Sequence, residues 1–258
     1  MSKNIKPLNN NELRVKAPTL FTSEPHSEVS DKYHFIPTID VIEEIRANNW
    51  YPVNVSVANV RDEEKEGFQQ HCVRFRHFED LLNPKDNAVE LLLFNSHDRS
   101  KAFSISAGIF RFVCANGLVI SDSVFEAYKI KHLGERDNDV ANAVANITSI
   151  KPKLMQKIEK LESITLNQSE KESFAKSSIP LRFEEHLEIN HNDLLIPHRF
   201  EDSKNDLYTV LNVIQENLLR GNISGINKDT KRRFTSKEIT SISKDTDVNK
   251  GLWEIAER

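Results

Sequence analysis

The stretch Trp50–Phe78, WYPVNVSVANVRDEEKEGFQQHCVRFRHF, decides the fold. Its first part alternates valine with small or polar residues, which is the period of a strand that buries one face. The charged residues 61–67 predict a turn, and residues 70–79 predict the strand that returns beside the first. We therefore expect an antiparallel hairpin here, with Arg74 and Arg76 projecting together from one face.

The residues after this hairpin extend the prediction to a meander of four strands. Residues 89–94 form an apolar run with the length of a central strand, and residues 102–107 alternate again beyond a polar loop at residues 95–100. Residues 108–118 fit either a helix or a strand, and we favour the helix. The predicted fold class is α+β, with an antiparallel meander sheet packed with helices and followed by a mainly helical C-terminal half.

Composition changes along the chain predict three segments. Residues 1–30 lack both helical and strand periods and are expected to form an N-terminal arm, while residues 31–134 hold the α+β core. Residues 135–258 form a mainly helical region packed on the core, because apolar residues recur at helical spacing within residues 140–161 and 207–218.

Three residue patterns predict where helices begin and end. Thr38 is placed to cap a helix that ends near residue 48, since its hydroxyl can accept hydrogen bonds from free amides. Ser169 with Glu172 suggests a capping box, and Gly221 is placed to stop the helix before it. Residues 236–243 are weakly strand-like.

Composition and charge exclude several classes of function. The 258 residues include 35 Lys and Arg against 39 Asp and Glu, so a globally basic nucleic-acid coat is excluded and an anionic ligand needs a local patch. No phosphate-cradling glycine motif occurs, and the two cysteines are too distant in sequence to suggest a metal knuckle. We therefore predict no cofactor and no metal, and count the chain as more like a binding protein than an enzyme.

Hydropathy predicts a protein that stays in the cytoplasm. No run approaches the roughly 18 apolar residues of a membrane span, and the opening residues are polar, without the apolar stretch of a secretory signal. We expect no membrane partner.

The densest polar motif, Asn95-Ser96-His97-Asp98, supports two interpretations. A hydrolase could use His97 as general base with Asp98 orienting it and His132 as a second imidazole. Adjacent residues in a tight turn usually point apart, however, and such side chains commonly satisfy turn backbone, so a structural turn is the favoured interpretation.

Basic residues provide the other candidate site. Cations on the sheet and its hairpin could line a groove for phosphates, although a solvated sheet face explains the same residues without a ligand. A basic stretch near the C-terminal end could add a further contact or be a mobile linker. The predicted nucleic-acid-binding residues are Arg74, Arg76, Arg99, Lys101, Arg111, Lys231, Arg232 and Arg233.

Several motifs resemble a known family. FNSHDRS at residues 94–100, FRFVCANGL at residues 110–118, IKH at residues 130–132 and NDLYTVLNVIQENLLRG at residues 205–221 are similar to domain-of-unknown-function family 932, found on phages and plasmids. Two departures from its pattern are Arg99, where a turn glycine is expected, and Gly117, where threonine is usual.

This resemblance implies a mobile-element gene without an agreed activity. The order of helix and strands is also similar to that of phage single-strand annealing recombinases, which implies binding of single-stranded DNA by a homo-oligomer. The expected function is therefore nucleic-acid binding, with single-strand annealing and recombination as its most specific form. The alternatives are an anti-defence or host-takeover protein that docks onto a host protein, and the hydrolase described above.

Overall fold

The computed structural model of the protein describes residues 5–29, 35–60, 62–84, 87–111, 117–119 and 137–258. These residues form two compact units. The first contains the described residues up to Arg111 together with residues 137–151, and the second contains residues 117–119 and 152–258. The predicted boundary after residue 134 lies outside the described residues.

Four antiparallel strands form the centre of the first unit. They are β1 (Trp50–Val57), β2 (His71–His77), β3 (Asn87–Asn95) and β4 (Ser104–Arg111), and each pairs with the next in chain order. The predicted α+β class with an antiparallel meander is confirmed. Sequential strands pair readily because short connections suffice to reverse the chain.

The two faces of this sheet differ in polarity. Val73 lies opposite Leu93, so the odd-numbered residues of β2 and β3 share one face, and the apolar residues at its centre are completely buried. Arg74 lies opposite Leu92 and Arg76 opposite Glu90, which places these charges on the second face. Strand β3 is buried along both faces, and this explains its continuous apolar run.

Helices cover the sheet of the first unit. Helix α1 (Asn10–Lys16) is followed by α2 (Thr38–Ala47), which packs on β1, and by the short α3 (Phe78–Leu82). Helix α4 (Asp137–Ser163) contributes its first part, where the hydroxyl of Thr148 accepts a hydrogen bond of 3.1 Å from the buried indole of Trp50.

The described part of the N-terminal arm is more regular than its sequence suggests. Helix α1 begins with a capping box in which Asn9 and Glu12 bond each other's backbone amides, and Leu13 is completely buried. The amide of Leu8 also donates to the carbonyl of Pro52 at 2.7 Å. Burial of Leu13, Ala17 and Leu20 therefore stabilises a segment that lacks a clear amphipathic period.

The helix favoured for residues 108–118 is wrong where the structure can be compared with it. Residues 108–111 continue strand β4, and Val89 and Ile109 are paired across the ladder. Residues 112–116 lie outside the described residues. Pairing with β3 decides the conformation here, because the local pattern fits both periods.

The second unit is mainly helical, as predicted. It contains the rest of α4, the short strand β5 (Gly117–Val119) and helices α5 (Gln168–Ser178), α6 (Leu207–Arg220) and α7 (Ile242–Ala256). Of the 14 residues of α6, 12 are buried, and Gly221 ends the helix with a positive φ of 78°. Because α6 has no exposed face, it cannot serve as a recognition helix in a DNA groove.

A small antiparallel sheet completes the second unit. Its strands are β6 (Leu187–Ile189), β7 (Ser224–Asn227) and β8 (Arg233–Thr235), with β7 in the centre. The strand expected at residues 236–243 is wrong, since β8 ends before it and α7 begins within it.

The capping box expected at Ser169 and Glu172 is formed two residues earlier. The side chain of Asn167 accepts from the amide of Glu170, and the Glu170 carboxylate accepts from the amide of Asn167. The pair Asn167 and Glu170 has the same spacing as the pair Ser169 and Glu172, and both pairs can form a capping box. Because α5 begins at Gln168, Asn167 occupies the cap position.

Candidate functional site

The motif at residues 94–100 turns its histidine into the core. His97 and Asn95 have no exposed surface, and the Asn95 amide donates to the hydroxyl of Thr38 at 3.0 Å. The same hydroxyl lies 2.9 Å from Nε2 of His71 and 3.4 Å from Nε2 of His97. Thr38 is thus the centre of a buried polar cluster.

Thr38 does not cap its helix, contrary to the sequence prediction. Pro37 occupies the cap position and offers no side-chain hydrogen bond, while Thr38 is the first helical residue. Its hydroxyl is instead committed to the buried cluster, which joins α2 to β2 and to the end of β3. Buried polar groups require such partners, because an unmet one costs about 1–3 kcal/mol.

His71 is neutral in this cluster. Burial lowers its pKa to about 3, and the nearby imidazole of His97 contributes to the lowering. Its Nδ1 lies 3.1 Å from the carbonyl of Gln69 and 3.4 Å from the hydroxyl of Thr19. A charged imidazole here would lose its hydration without gaining a carboxylate in contact.

This geometry gives no support to the hydrolase alternative. His97 is completely buried, whereas Asp98 belongs to the surface turn and accepts from the amide of Ser100 at 2.9 Å. Burial raises the pKa of Asp98, but hydrogen bonds from Ser100 and Ser96 outweigh that effect and lower it. Residues 95–98 form a turn together with the buried side chains that hold it in place, in agreement with the favoured interpretation of the motif. His132 lies outside the described residues.

The two arginines of strand β2 form a buried ion cluster. Nε of Arg74 lies 2.6 Å from one carboxylate oxygen of Glu90, and Nη2 of Arg76 lies 2.8 Å from the other. The side chain of Arg76 is 1% exposed and that of Arg74 16% exposed. In this conformation Arg76 cannot reach a phosphate, so the predicted groove on this sheet face is not formed.

The other cations of the first unit that were predicted to bind phosphate lie in the turn before β4 and at the end of β4. Arg99 is exposed in the turn, and Lys101 is half-buried with its ammonium 5.9 Å from the ring of Phe94. The backbone of Arg111 ends strand β4, but its side chain lies outside the described part of the structure.

The basic segment near the C-terminal end is a structured hairpin turn. We call residues 227–233, which connect β7 to β8, the basic hairpin. The side chain of Asn227 accepts from the amides of Asp229 and Thr230, and its carbonyl accepts from the amide of Lys231 at 2.8 Å. These bonds fix the turn, so the alternative of a mobile linker is wrong for these residues.

The basic hairpin exposes three consecutive cations. Lys231, Arg232 and Arg233 are exposed, and within the described residues none of the three has an ion-pair partner. Lys228 differs, since its ammonium donates to the carbonyl of Glu185 at 2.9 Å. With one acid, Asp229, the hairpin carries a net charge of 4 − 1 = +3.

An open cleft of about 760 Å³ lies on the outer face of the same small sheet. Glu188, Ile226 and Arg233 are paired in one row across β6, β7 and β8, and all three are exposed. The neighbouring row belongs to the inner face, because the ring of Phe234 lies beside that of the buried Phe183, with the two ring centroids 6.4 Å apart. The cleft is also lined by Asn190, Asp193, Ser224 and Thr235, and by Ile189, Gly225 and Phe234 of the neighbouring row.

Known proteins match this chain along nearly its whole length. The family model described as "Domain of unknown function (DUF932)" matches residues 25–253. The chain belongs to this family. Two curated relatives from Escherichia coli strain K12, UPF0380 protein YfjQ and UPF0380 protein YafZ, are each 31% identical over 253 residues, which cover 98% of this chain and 91% of theirs. No solved structure matches the chain significantly.

Two of the motifs by which the DUF932 chain resembles its family, at residues 94–100 and 205–221, lie in the described part of the chain and contribute buried residues to the fold. Asn95 and His97 lie in the buried cluster of the first unit, and most of residues 205–221 are buried in helix α6. Arg99, noted above as a departure, has a φ of 65°, the left-handed region that glycine adopts most easily.

Sequence reasoning missed the acidic side of the cleft in this DUF932 protein. Glu188 and Asp193 stand in a stretch without clear periodicity, and only the pairing of β6 with β7 brings Glu188 into line with Arg233. A strand of three residues gives too short a pattern to detect.

The described residues contain neither a membrane-crossing helix nor a cluster of metal-binding side chains. No helix among them has the length and apolar character needed to cross a membrane. In the same part of the chain, no three His, Cys, Asp or Glu side chains gather in a way that could hold a metal ion.

Proposed function

We propose that this protein binds nucleic acid through the basic hairpin, with single-stranded DNA as its ligand. The observation that carries the proposal is the rigid presentation of three exposed cations in succession, Lys231, Arg232 and Arg233. Phosphate backbones require repeated cations of this kind, and a fixed turn lowers the entropy that binding must overcome.

The overall charge of −4 does not argue against this function. At physiological ionic strength the Debye length is about 8 Å, so exposed carboxylates farther away are largely screened. A local charge of +3 can then attract phosphates despite an acidic surface elsewhere. Single-stranded DNA is favoured over duplex because the exposed Ile226 beside the hairpin offers an apolar surface to an unpaired base, whereas the bases of a duplex are already stacked on each other.

The salt dependence of binding provides the test. Each phosphate contact contributes a slope of about −0.7 to the plot of log affinity against log salt for single strands. Three contacts predict a slope of about −2, which weakens binding roughly 20-fold between 50 and 200 mM salt. The measurement is fluorescence anisotropy of a labelled 20-nucleotide DNA of mixed sequence.

A pair of charge-matched variants separates the hairpin from general charge. K231Q/R232Q/R233Q should abolish most of the binding and flatten the slope by about 2. K153Q/K160Q/K204Q removes three charges from exposed positions elsewhere in the second unit and should leave the slope unchanged. Equal affinities for the hairpin variant and the unmodified protein would refute the proposal.

A further inference from the structure

The open cleft beside the basic hairpin has opposite charges on its two sides. Neighbouring strands lie about 4.8 Å apart, so the Cα atoms of Glu188 and Arg233, two strands apart, are separated by roughly 10 Å. Ile226 lies between them and is 39% exposed, which gives the cleft an apolar floor. The floor and the two charged sides are thus arranged in a line across the sheet.

The acidic side holds more than one hydrogen-bond acceptor. Asp193 joins Glu188 in lining the cleft, and the amide of Asn190 donates to the Asp193 carboxylate at 3.2 Å. Ionised carboxylates only accept hydrogen bonds, so this side selects a ligand that donates. The basic side, formed by Arg233, selects an anion and is continuous with the hairpin.

We propose that this cleft binds one nucleotide of the strand and prefers guanine to thymine. The inference rests on the proposed function, because the basic hairpin brings the strand to the cleft. The phosphate contacts Arg233, the base lies on Ile226, and the edge of the base faces Glu188 and Asp193.

The chemistry of the two base edges provides the selectivity. The Watson–Crick edge of guanine presents an N–H group beside an amino group, and together these donate to both oxygens of one carboxylate. Thymine presents a single N–H between two carbonyl oxygens, which the carboxylates repel. A good bidentate contact to a base discriminates by roughly 5- to 150-fold, and we expect about tenfold at a site this open.

Two titrations test the proposal. In the first, anisotropy compares a 16-nucleotide oligothymidine with an alternating guanine–thymine strand of equal length, and the latter should bind about ten times more tightly. In the second, dGMP and dTMP are titrated into isotope-labelled protein, and the amide signals of Ser224 and Ile226 should shift at lower concentrations of dGMP.

A matched pair of variants assigns the effect to the cleft. Glu188→Gln should reduce the guanine preference to less than threefold while oligothymidine still binds. Glu238→Gln removes one exposed carboxylate outside the cleft lining and should keep the preference.

The outcomes distinguish this proposal from the function on which it rests. If both oligonucleotides bind with steep salt dependence but equal affinity, the base preference is overturned and the proposed function stands. If neither oligonucleotide binds but dGMP still shifts the cleft signals more readily than dTMP, the cleft proposal stands without the hairpin function. If dGMP and dTMP also act alike, both are overturned.

Discussion

Glu90→Gln should strongly destabilise the first unit of the protein. The carboxylate of Glu90 is 2% exposed and contacts both Arg74 and Arg76. Glutamine keeps the shape of the side chain and removes its charge. The variant therefore leaves the guanidinium of Arg76, which is 1% exposed, without this compensating charge.

The size of the effect follows from the burial and the distances. At an effective dielectric constant of about 20, unit charges 2.8 Å apart attract by about 6 kcal/mol, an upper limit because both charges are delocalised. Breaking a buried pair from one side typically costs about 3–5 kcal/mol. With a urea dependence of roughly 2 kcal/mol per M, the unfolding midpoint should fall by roughly 1.5–2.5 M.

Tryptophan fluorescence can report on each unit separately. The chain has two tryptophans, and both are buried, Trp50 in the first unit and Trp253 in the second. Urea titrations in a Trp253→Phe background therefore follow the first unit alone. Glu79→Gln makes the same chemical change at an exposed position and should alter the free energy of unfolding by less than about 0.5 kcal/mol.

Two results would refute this reasoning. A loss below about 1 kcal/mol for Glu90→Gln would mean that the ion cluster does not compensate a buried charge. The triple variant R74M/R76M/E90M should recover most of the lost stability, since it removes both guanidinium groups together with their shared partner, and the absence of any recovery would be the second refuting result. Tighter DNA binding by Glu90→Gln would also be unexpected, because it would mean that the released arginines contact phosphates.

Two further predictions concern the first unit. The pKa of His71 is about 3 in the folded protein against about 6.5 when unfolded, so the unfolded state binds one more proton between these values. The free energy of unfolding should thus fall by up to about 1.4 kcal/mol for each pH unit below 6.5 and stay level above pH 6.5. In His71→Gln this pH dependence should disappear, and urea titrations from pH 5 to 8 can measure both results. Arg99→Gly should raise the unfolding free energy by about 1 kcal/mol, because φ is 65° at this position, and an unchanged or lower urea midpoint would contradict that strain.

The sequence predicted the elements whose period is long and unambiguous. The alternating valines of β1 and the apolar run of β3 gave the antiparallel sheet, and the helical spacing in residues 207–218 gave α6. It failed where two periods fit equally, as at residues 108–111, and where strands have only three residues, as in β6 and β8. In such places pairing with a distant strand decides the conformation.

The candidate site shows the same division. Arg74 and Arg76 were predicted correctly to share a face of β2, but the partner that occupies them, Glu90, comes from the next strand. Lys231 to Arg233 were recognised as a basic cluster, whereas the turn that fixes them depends on backbone bonds to Asn227. Charge can be counted along a chain, but its neutralisation depends on contacts across it.

By itself, the sequence determined the fold class, the acidic total charge, the family motifs and the basic stretch near the C-terminal end. Only the tertiary structure decided which cations are exposed, because burial and ion pairing depend on residues that meet across strands. It removed the buried Arg76 of the central sheet from the candidate interface, left the basic hairpin exposed, and placed Glu188 across the cleft from Arg233. Local periodicity fixes the direction of a side chain, and long-range packing fixes what that side chain meets.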